Sequence, residues 1–400
     1  MAIETSSHAP TVLSDISKST AIKFIVLFGI ISLFSDFTYE GARSITGPFL
    51  EMLGASATVV GVVAGFGELL GYGLRLASGY LTDKTKRYWT IVLFGYSMNL
   101  LAVPLLALAG HWPTAAALIV MERTGKGIRT PTRDVMLSLA SQKIGRGWGF
   151  GLHQALDQTG AVIGPLVVAA VLHFKGTYET SFGILLIPAL IALSLLVLAA
   201  RLYPTPEDIG TTSVELEGKA LSRKFWVYVI AIGFVAAGYA DFSLIAFHFK
   251  KMSIVSDSSI PIFYAVATGV HVLASLFFGR IFDRIGLVSL VAAVFLSSFF
   301  APFVFLGGYY ASLIGMALWG IGMGAQSSVV RAAIADLVPT ERLGFAFGIF
   351  NMVFGLFWFG GSALMGVLYD VSLPALVMFS VVAQLISLPI LLVAGRNAKA

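Results

Sequence analysis

Asp36, Glu40 and Arg43 stand at i, i+4 and i+7 inside one apolar run of the chain. On a helix such positions fall within roughly 60° of one another, so two carboxylates and a guanidinium share one stripe. A cation there holds one acid ionised while the other takes up and releases a proton. The competing chemistry is a fixed salt bridge that never changes protonation. An echo of Asp36 favours the first: Ser35-Asp36-Phe37-Thr38 recurs as Ala240-Asp241-Phe242-Ser243, 205 residues later. A second run carries Glu68 and Arg75 at i and i+7, where Glu68 serves equally well as a plain neutraliser of a nearby cation. A third run holds Arg123, Lys126, Arg129, Arg133 and Asp134 in two layers. Arg123 and Lys126, nearer its middle, are expected to meet Asp36, Glu40 or the carboxylate of a solute. Arg129, Arg133 and Asp134, nearer its end, are expected to belong to a gate with Asp83, their partners there being His153 and Asp157, which lie i, i+4 on the run that follows.

Charge in such runs is costly. A charged side chain at the centre of a membrane helix costs about 2.5–3.5 kcal/mol on insertion scales, so these groups must pair, face the interior or line water. The membrane setting follows from composition: 57% hydrophobic residues, 12% charged and a mean hydropathy of +0.88. A soluble domain carries about 25% charged residues. Spanning a bilayer takes about 20 apolar residues, and apolar runs bounded by turn and charge signals give twelve spans. They cover 22–49, 56–81, 90–110, 114–140, 148–174, 179–201, 225–249, 260–282, 287–306, 310–337, 344–368 and 373–395. The expected fold is an all-α integral membrane protein, twelve transmembrane helices in two pseudo-symmetric six-helix bundles. A tail over 1–21 precedes the first bundle over 22–201, and a polar linker over 202–224 leads to the second over 225–395, with a short tail over 396–400.

Orientation follows from the cations. With the N-terminus inside, sixteen of the 26 Lys and Arg residues fall on the inner side and only Lys175, Lys250 and Lys251 on the outer. Both termini are therefore expected in the cytoplasm, at the inner membrane of a prokaryote. The net charge of +5 is spent on this asymmetry and gives no sign of a nucleic-acid partner. Seven cations remain within the spans, among them Arg331 in span ten.

The halves repeat each other. Gly79-Tyr-Leu-Thr-Asp83-Lys84 after span two recurs as Gly279-Arg-Ile-Phe-Asp283-Arg284 after span eight. Gly125, Gly127, Gly147, Phe150 and Gly151 recur as Gly322, Gly324, Gly344, Phe347 and Gly348. Repeated halves with the solute site between them are a transporter architecture. At these residues the chain resembles the major facilitator superfamily, over essentially its whole length. Gly79 to Arg87 is similar to that superfamily's gating signature, although Thr85 stands where glycine is usual. Arg123-Thr-Gly125-Lys-Gly127-Ile-Arg-Thr-Pro131 resembles the proton-coupling motif of its drug:proton antiporters. Gly160-Ala-Val-Ile-Gly164-Pro165 resembles their signature only in part. The resemblance implies an inner gate at Asp83, Lys84 and Arg87, with Asp283 and Arg284 as its second copy. Physics supports that gate separately, because a carboxylate at a helix end pairs with cations and with the N-terminus of a helix from the other half.

Aromatic residues beside the two repeated acids, Phe37, Tyr39, Tyr239 and Phe242, are expected to line a cavity with Tyr72. Gln326, Asn351 and Trp358 are expected polar contacts from the second half. No HExxH, GxSxG or P-loop pattern is present, and the Gly-x-Gly pairs lie inside apolar helices without a preceding strand, so no enzyme and no cofactor are expected. With no cysteine and scattered histidines, no metal site is expected, and export of a divalent metal is the third reading. The first is a monomeric, proton-coupled exporter of a small amphiphilic organic compound. The second is a proton-coupled importer of an organic anion, such as a carboxylate or a carboxylate siderophore.

Overall fold

The computed structural model describes residues 18–141, 144–204, 221–338 and 343–396. Most of the expected N-terminal tail, linker and C-terminal tail lies outside the described residues. The first half contains α1 (Lys18–Met52), α2 (Ala57–Thr85), α3 (Tyr88–Leu105), α4 (Trp112–Ser141), α5 (Arg146–His173), α6 (Tyr178–Ile184) and α7 (Leu186–Leu202). The second contains α8 (Arg223–Gly238), α9 (Phe242–Lys251), α10 (Ile260–Ile285), α11 (Val288–Ser297), α12 (Phe300–Phe305), α13 (Tyr309–Leu337), α14 (Leu343–Val371) and α15 (Leu373–Arg396). Among the described residues there is no strand. Taken as rods, with α6 running into α7, α8 into α9 and α11 into α12, they match the twelve expected spans. Eleven rods are long and apolar enough to cross a bilayer. The twelfth, α4, falls short because Glu122, Arg123, Lys126, Arg129, Arg133 and Asp134 interrupt it.

Span seven is broken by design of its surroundings. The backbone leaves the helix at Tyr239, and α9 restarts with Asp241 as N-cap, its side chain accepting from the Ser243 amide at 2.9 Å. Two of the carbonyls freed by the break find side-chain donors. Gly238 accepts from the Ser380 hydroxyl (2.6 Å) and the Gln384 amide (3.3 Å), and Ala240 accepts from the Trp319 indole (3.0 Å). Non-helical backbone at membrane depth survives only when satisfied in this way.

The halves meet along three seams: α2 against α14, α1 against α9, and α5 against α10. A twofold axis exchanging spans n and n+6 turns the first seam into the third and the second into itself, as a repeat requires. Toward the Met52 end of α1 the seams are tight. A methyl added at Gly47 would strike the backbone of Ser243, and one at Gly61 the carbonyl of Ser362. Asp370, at the end of α14, accepts from the first two amides of α2, Ala57 (3.3 Å) and Thr58 (2.9 Å), and from the Thr58 hydroxyl (2.7 Å). At the opposite end Asp83, Lys84, Arg87, Asp283 and Arg284 are all exposed, and none makes an ion pair among the described residues. Among the described residues, side-chain hydrogen bonds fasten the halves at the first of these ends, and no ion pair does so at the second.

Candidate solute cavity

Between the halves lies a cavity of about 240 Å³. The first half contributes Tyr39, Arg43, Glu68, Tyr72, Arg123 and Lys126 to its wall; the second contributes Gln326, Arg331, Asn351 and Trp358. All ten were singled out from sequence. Five helices, α1, α2, α4, α13 and α14, form the wall, and Gly71 on α2 and Gly127 on α4 are themselves part of it.

An ion network fastens the wall. Arg43 donates to Asp241 across the seam at 2.9 Å and lies 3.8 Å from Glu68. Glu68 takes its shorter contact, 2.8 Å, from Arg123, whose Nε is 3.4 Å from Glu122. Glu122 in turn accepts from Asn99 at 2.6 Å. Glu40 accepts from the phenol of Tyr264, a residue of the other half. Lys126 places its ammonium 3.4 Å above the Tyr39 ring, and Arg75 stacks at 4.6 Å over Tyr72. Such cation–aromatic contacts stabilise a charge without neutralising it.

A sequence profile of the Major Facilitator Superfamily matches residues 28–362 and, again, 253–398. The chain belongs to that superfamily. An uncharacterised protein of Mycobacterium tuberculosis is 39% identical over 376 residues, covering 92% of each chain. An uncharacterised MFS-type transporter of Methanocaldococcus jannaschii is 27% identical over 380 residues, covering 91% of this chain and 93% of that one. The fold is similar to a solved peptide transporter of the POT kind, with a TM-score of 0.75 at 15% identity over 95% of this chain and 99% of the other. As a superfamily member the protein is a multi-pass secondary transporter of a small-molecule substrate and not an enzyme.

Within this superfamily frame, several pairings differ from those expected. The span-one stripe is not one cluster. Asp36 faces Arg129 at 3.8 Å, Glu40 faces Tyr264, and Arg43 reaches Asp241 and Glu68. Sixty degrees of arc is enough, once four different helices pack against it, to give each group its own neighbour. Arg123 meets Glu68 and Glu122 instead of Asp36 or Glu40, because α4 packs along α2. Arg129 does not join the gate. It is fully buried, stacked 4.1 Å from the Tyr96 ring, and among the described residues none of its three nitrogens makes a hydrogen bond. Arg133 pairs with its own neighbour Asp134 at 2.9 Å. His153 shares a hydrogen bond with Ser32 at 2.8 Å and leaves Asp157 to a longer contact with Gln154 at 3.4 Å. Phe37, Tyr239 and Phe242 are absent from the cavity wall. Tyr239 and Phe242 are fully buried in an aromatic cluster around Trp319, where the phenol of Tyr239 donates to the Trp319 carbonyl.

Sequence reasoning missed Tyr264, Asn99 and the wall residues Met323, Ser327, Val330 and Phe350. Asn99 carried a usable signal, a lone amide in an otherwise apolar span. The others carried none, since Tyr264 and Phe350 look like ordinary core. Among the described residues, no three His, Cys, Asp or Glu side chains are grouped to hold a metal ion.

Proposed function

We propose that the protein is a proton-coupled secondary transporter of a small organic solute, working by alternating access between a half over 22–201 and a half over 225–395. The observation that supports it most is the pair of contacts that cross the seam at the cavity wall. Glu40 to Tyr264 and Arg43 to Asp241 both join the halves through a carboxylate. A proton on either carboxylate weakens its contact, so protonation and relative motion of the halves are linked. The Asp83 end carries the basic loops, so this structure is read as open to the cytoplasm of a prokaryotic inner membrane, with both termini there and Asp83 as the released gate. A monomer is sufficient, since the cavity is complete within one chain.

The direction depends on the solute's charge. A neutral or cationic amphiphile competes with protons for the acids and leaves in exchange for them; the aromatic wall of Tyr72, Phe350, Phe354 and Trp358 supports such a body. An anion is drawn in together with protons, and the cationic residues of the wall support that alternative. The test is a proteoliposome carrying an internal pH dye. Solute added against an imposed pH gradient is expected to move protons, and Glu40→Gln is expected to abolish uphill transport while sparing exchange. Solute flux indifferent to the gradient in the wild type rules out the coupling.

A further inference from the structure

We infer that the solute is an organic anion with a flat apolar body, its charged group held by Lys126, Arg75 and Arg331 and by the indole N–H of Trp358. The inference rests on reading this cavity as the solute site. The wall carries Arg43, Arg75, Arg123, Lys126 and Arg331 against a single acid, Glu68. Asp241 takes up Arg43 and Glu68 takes up Arg123. Among the described residues, Lys126, Arg75 and Arg331 make no ion pair with a carboxylate. Lys126 and Arg75 lie against aromatic faces, and the buried Nε of Arg75 has no hydrogen-bond partner. Arg331 is exposed at the mouth and makes no ion pair among the described residues. The three come from α2, α4 and α13, so one anion among them ties the two halves together.

Independent of charge, the wall holds one unused neutral donor. Trp358 is 4% exposed, lines the cavity and has an indole N–H with no acceptor among the described residues. A buried donor without a partner is a loss that only a ligand acceptor or water makes good. Beside it lie the rings of Phe354 and Tyr72, which offer faces to a planar body. A carboxylate on an aromatic or similarly flat frame matches both features at once.

The same geometry gives the coupling a sign. Glu68 holds Arg123 at 2.8 Å and stands 3.8 Å from Arg43. A proton on Glu68 frees guanidinium charge toward the cavity, so proton and anion favour each other's binding. Proton and solute then travel in the same direction.

The chain has no native cysteine, and Ser327 is exposed on the cavity wall. Ser327→Cys in the purified protein therefore reports the cavity's field through a matched pair of anionic and cationic methanethiosulfonates. Thr114→Cys, exposed at the start of α4, is the reference. Focused fields change encounter rates by about 10- to 1,000-fold. We expect the anionic reagent to be favoured at least tenfold over the reference ratio. Lys126→Gln and Arg331→Gln should each reduce that preference, and benzoate should protect where benzamide and benzylamine do not. A ratio equal to the reference, or protection by benzylamine instead, overturns the anion and leaves proton-coupled transport standing. Failure of both reagents to reach Ser327→Cys overturns the cavity itself as the solute route.

Discussion

Removing Asp370 should loosen the latched end of the molecule by an amount the geometry sets. The N-terminus of α2 offers four unpaired amides to its surroundings. Ser56 takes one, Val59, at 3.3 Å, and Asp370 takes those of Ala57 and Thr58 from 312 residues or more away in sequence. Loss of such a cap costs about 1 kcal/mol, and loss of the negative charge at the helix N-terminus about 0.3–1 kcal/mol more on an exposed surface. Together, roughly 1–2 kcal/mol corresponds to about a 5- to 30-fold change in an equilibrium constant. All of it falls on the latched state, because the bonds exist only while α2 and α14 touch. Ser362 is fully buried in this seam, its hydroxyl unpartnered, so Ser362→Cys is a near-isosteric reporter. In an Asp370→Ala background its maleimide labelling should accelerate within that 5- to 30-fold window. Ser222→Ala is the control: it removes the cap of α8, a 3.2 Å bond from the Phe225 amide within the second half, and should leave the rate unchanged. Equal labelling in Asp370→Ala and wild type would show that the cap does not hold the halves together.

Three further outcomes follow from the same contacts. Tyr264→Phe should shift the pH dependence of transport while leaving thermal stability nearly intact, and an unaltered pH profile would remove the Glu40–Tyr264 contact from the coupling. Asp36→Asn should destabilise the fold by about 3 kcal/mol, since removing one partner of a buried pair strands the other; adding Arg129→Met should recover most of that loss in a denaturation series, and failure to recover would mean that Arg129 is compensated elsewhere. Asp83→Asn should leave the present state as stable as before, because Asp83 has no ion-pair partner in it among the described residues, yet raise the labelling of a cysteine at the Ser327 position by depopulating the alternative state; slower labelling would assign Asp83 to the wrong state.

The rods were legible because a bilayer demands about 20 apolar residues and rewards little else. The wall was legible for a related reason: ionisable groups that cannot face lipid must face one another or water, so Arg43, Glu68, Arg123 and Lys126 announced themselves. Their partners did not. Helical periodicity gives a direction on one rod, whereas a partner depends on which rod packs there and at what depth. That is why Asp36 went to Arg129, and His153 to Ser32. The aromatics next to repeated acids misled for a different reason. Phe242 and Tyr239 flank a break in span seven, and a break turns neighbouring side chains out of the stripe that an unbroken helix would give them.

That break also bears on the echo between Asp36 and Asp241. Span one runs unbroken through Asp36, while span seven stops at Tyr239 and restarts with Asp241 as the cap of α9. The two acids occupy equivalent places in sequence and do different work. Asp36 stands 3.8 Å from a buried guanidinium in its own half. Asp241 holds the Ser243 amide and the Arg43 guanidinium of the opposite half, each at 2.9 Å. Its charge therefore serves the start of a helix and a contact across the seam together. Removing its side chain weakens both in one step, so the joint between α8 and α9 and the seam against α1 then loosen together. An asparagine there keeps the cap, because Asn caps a helix about as well as Asp, but surrenders the charge that holds Arg43. The difference between Asp241→Asn and Asp241→Ala thus separates the helix's share of this residue from the seam's.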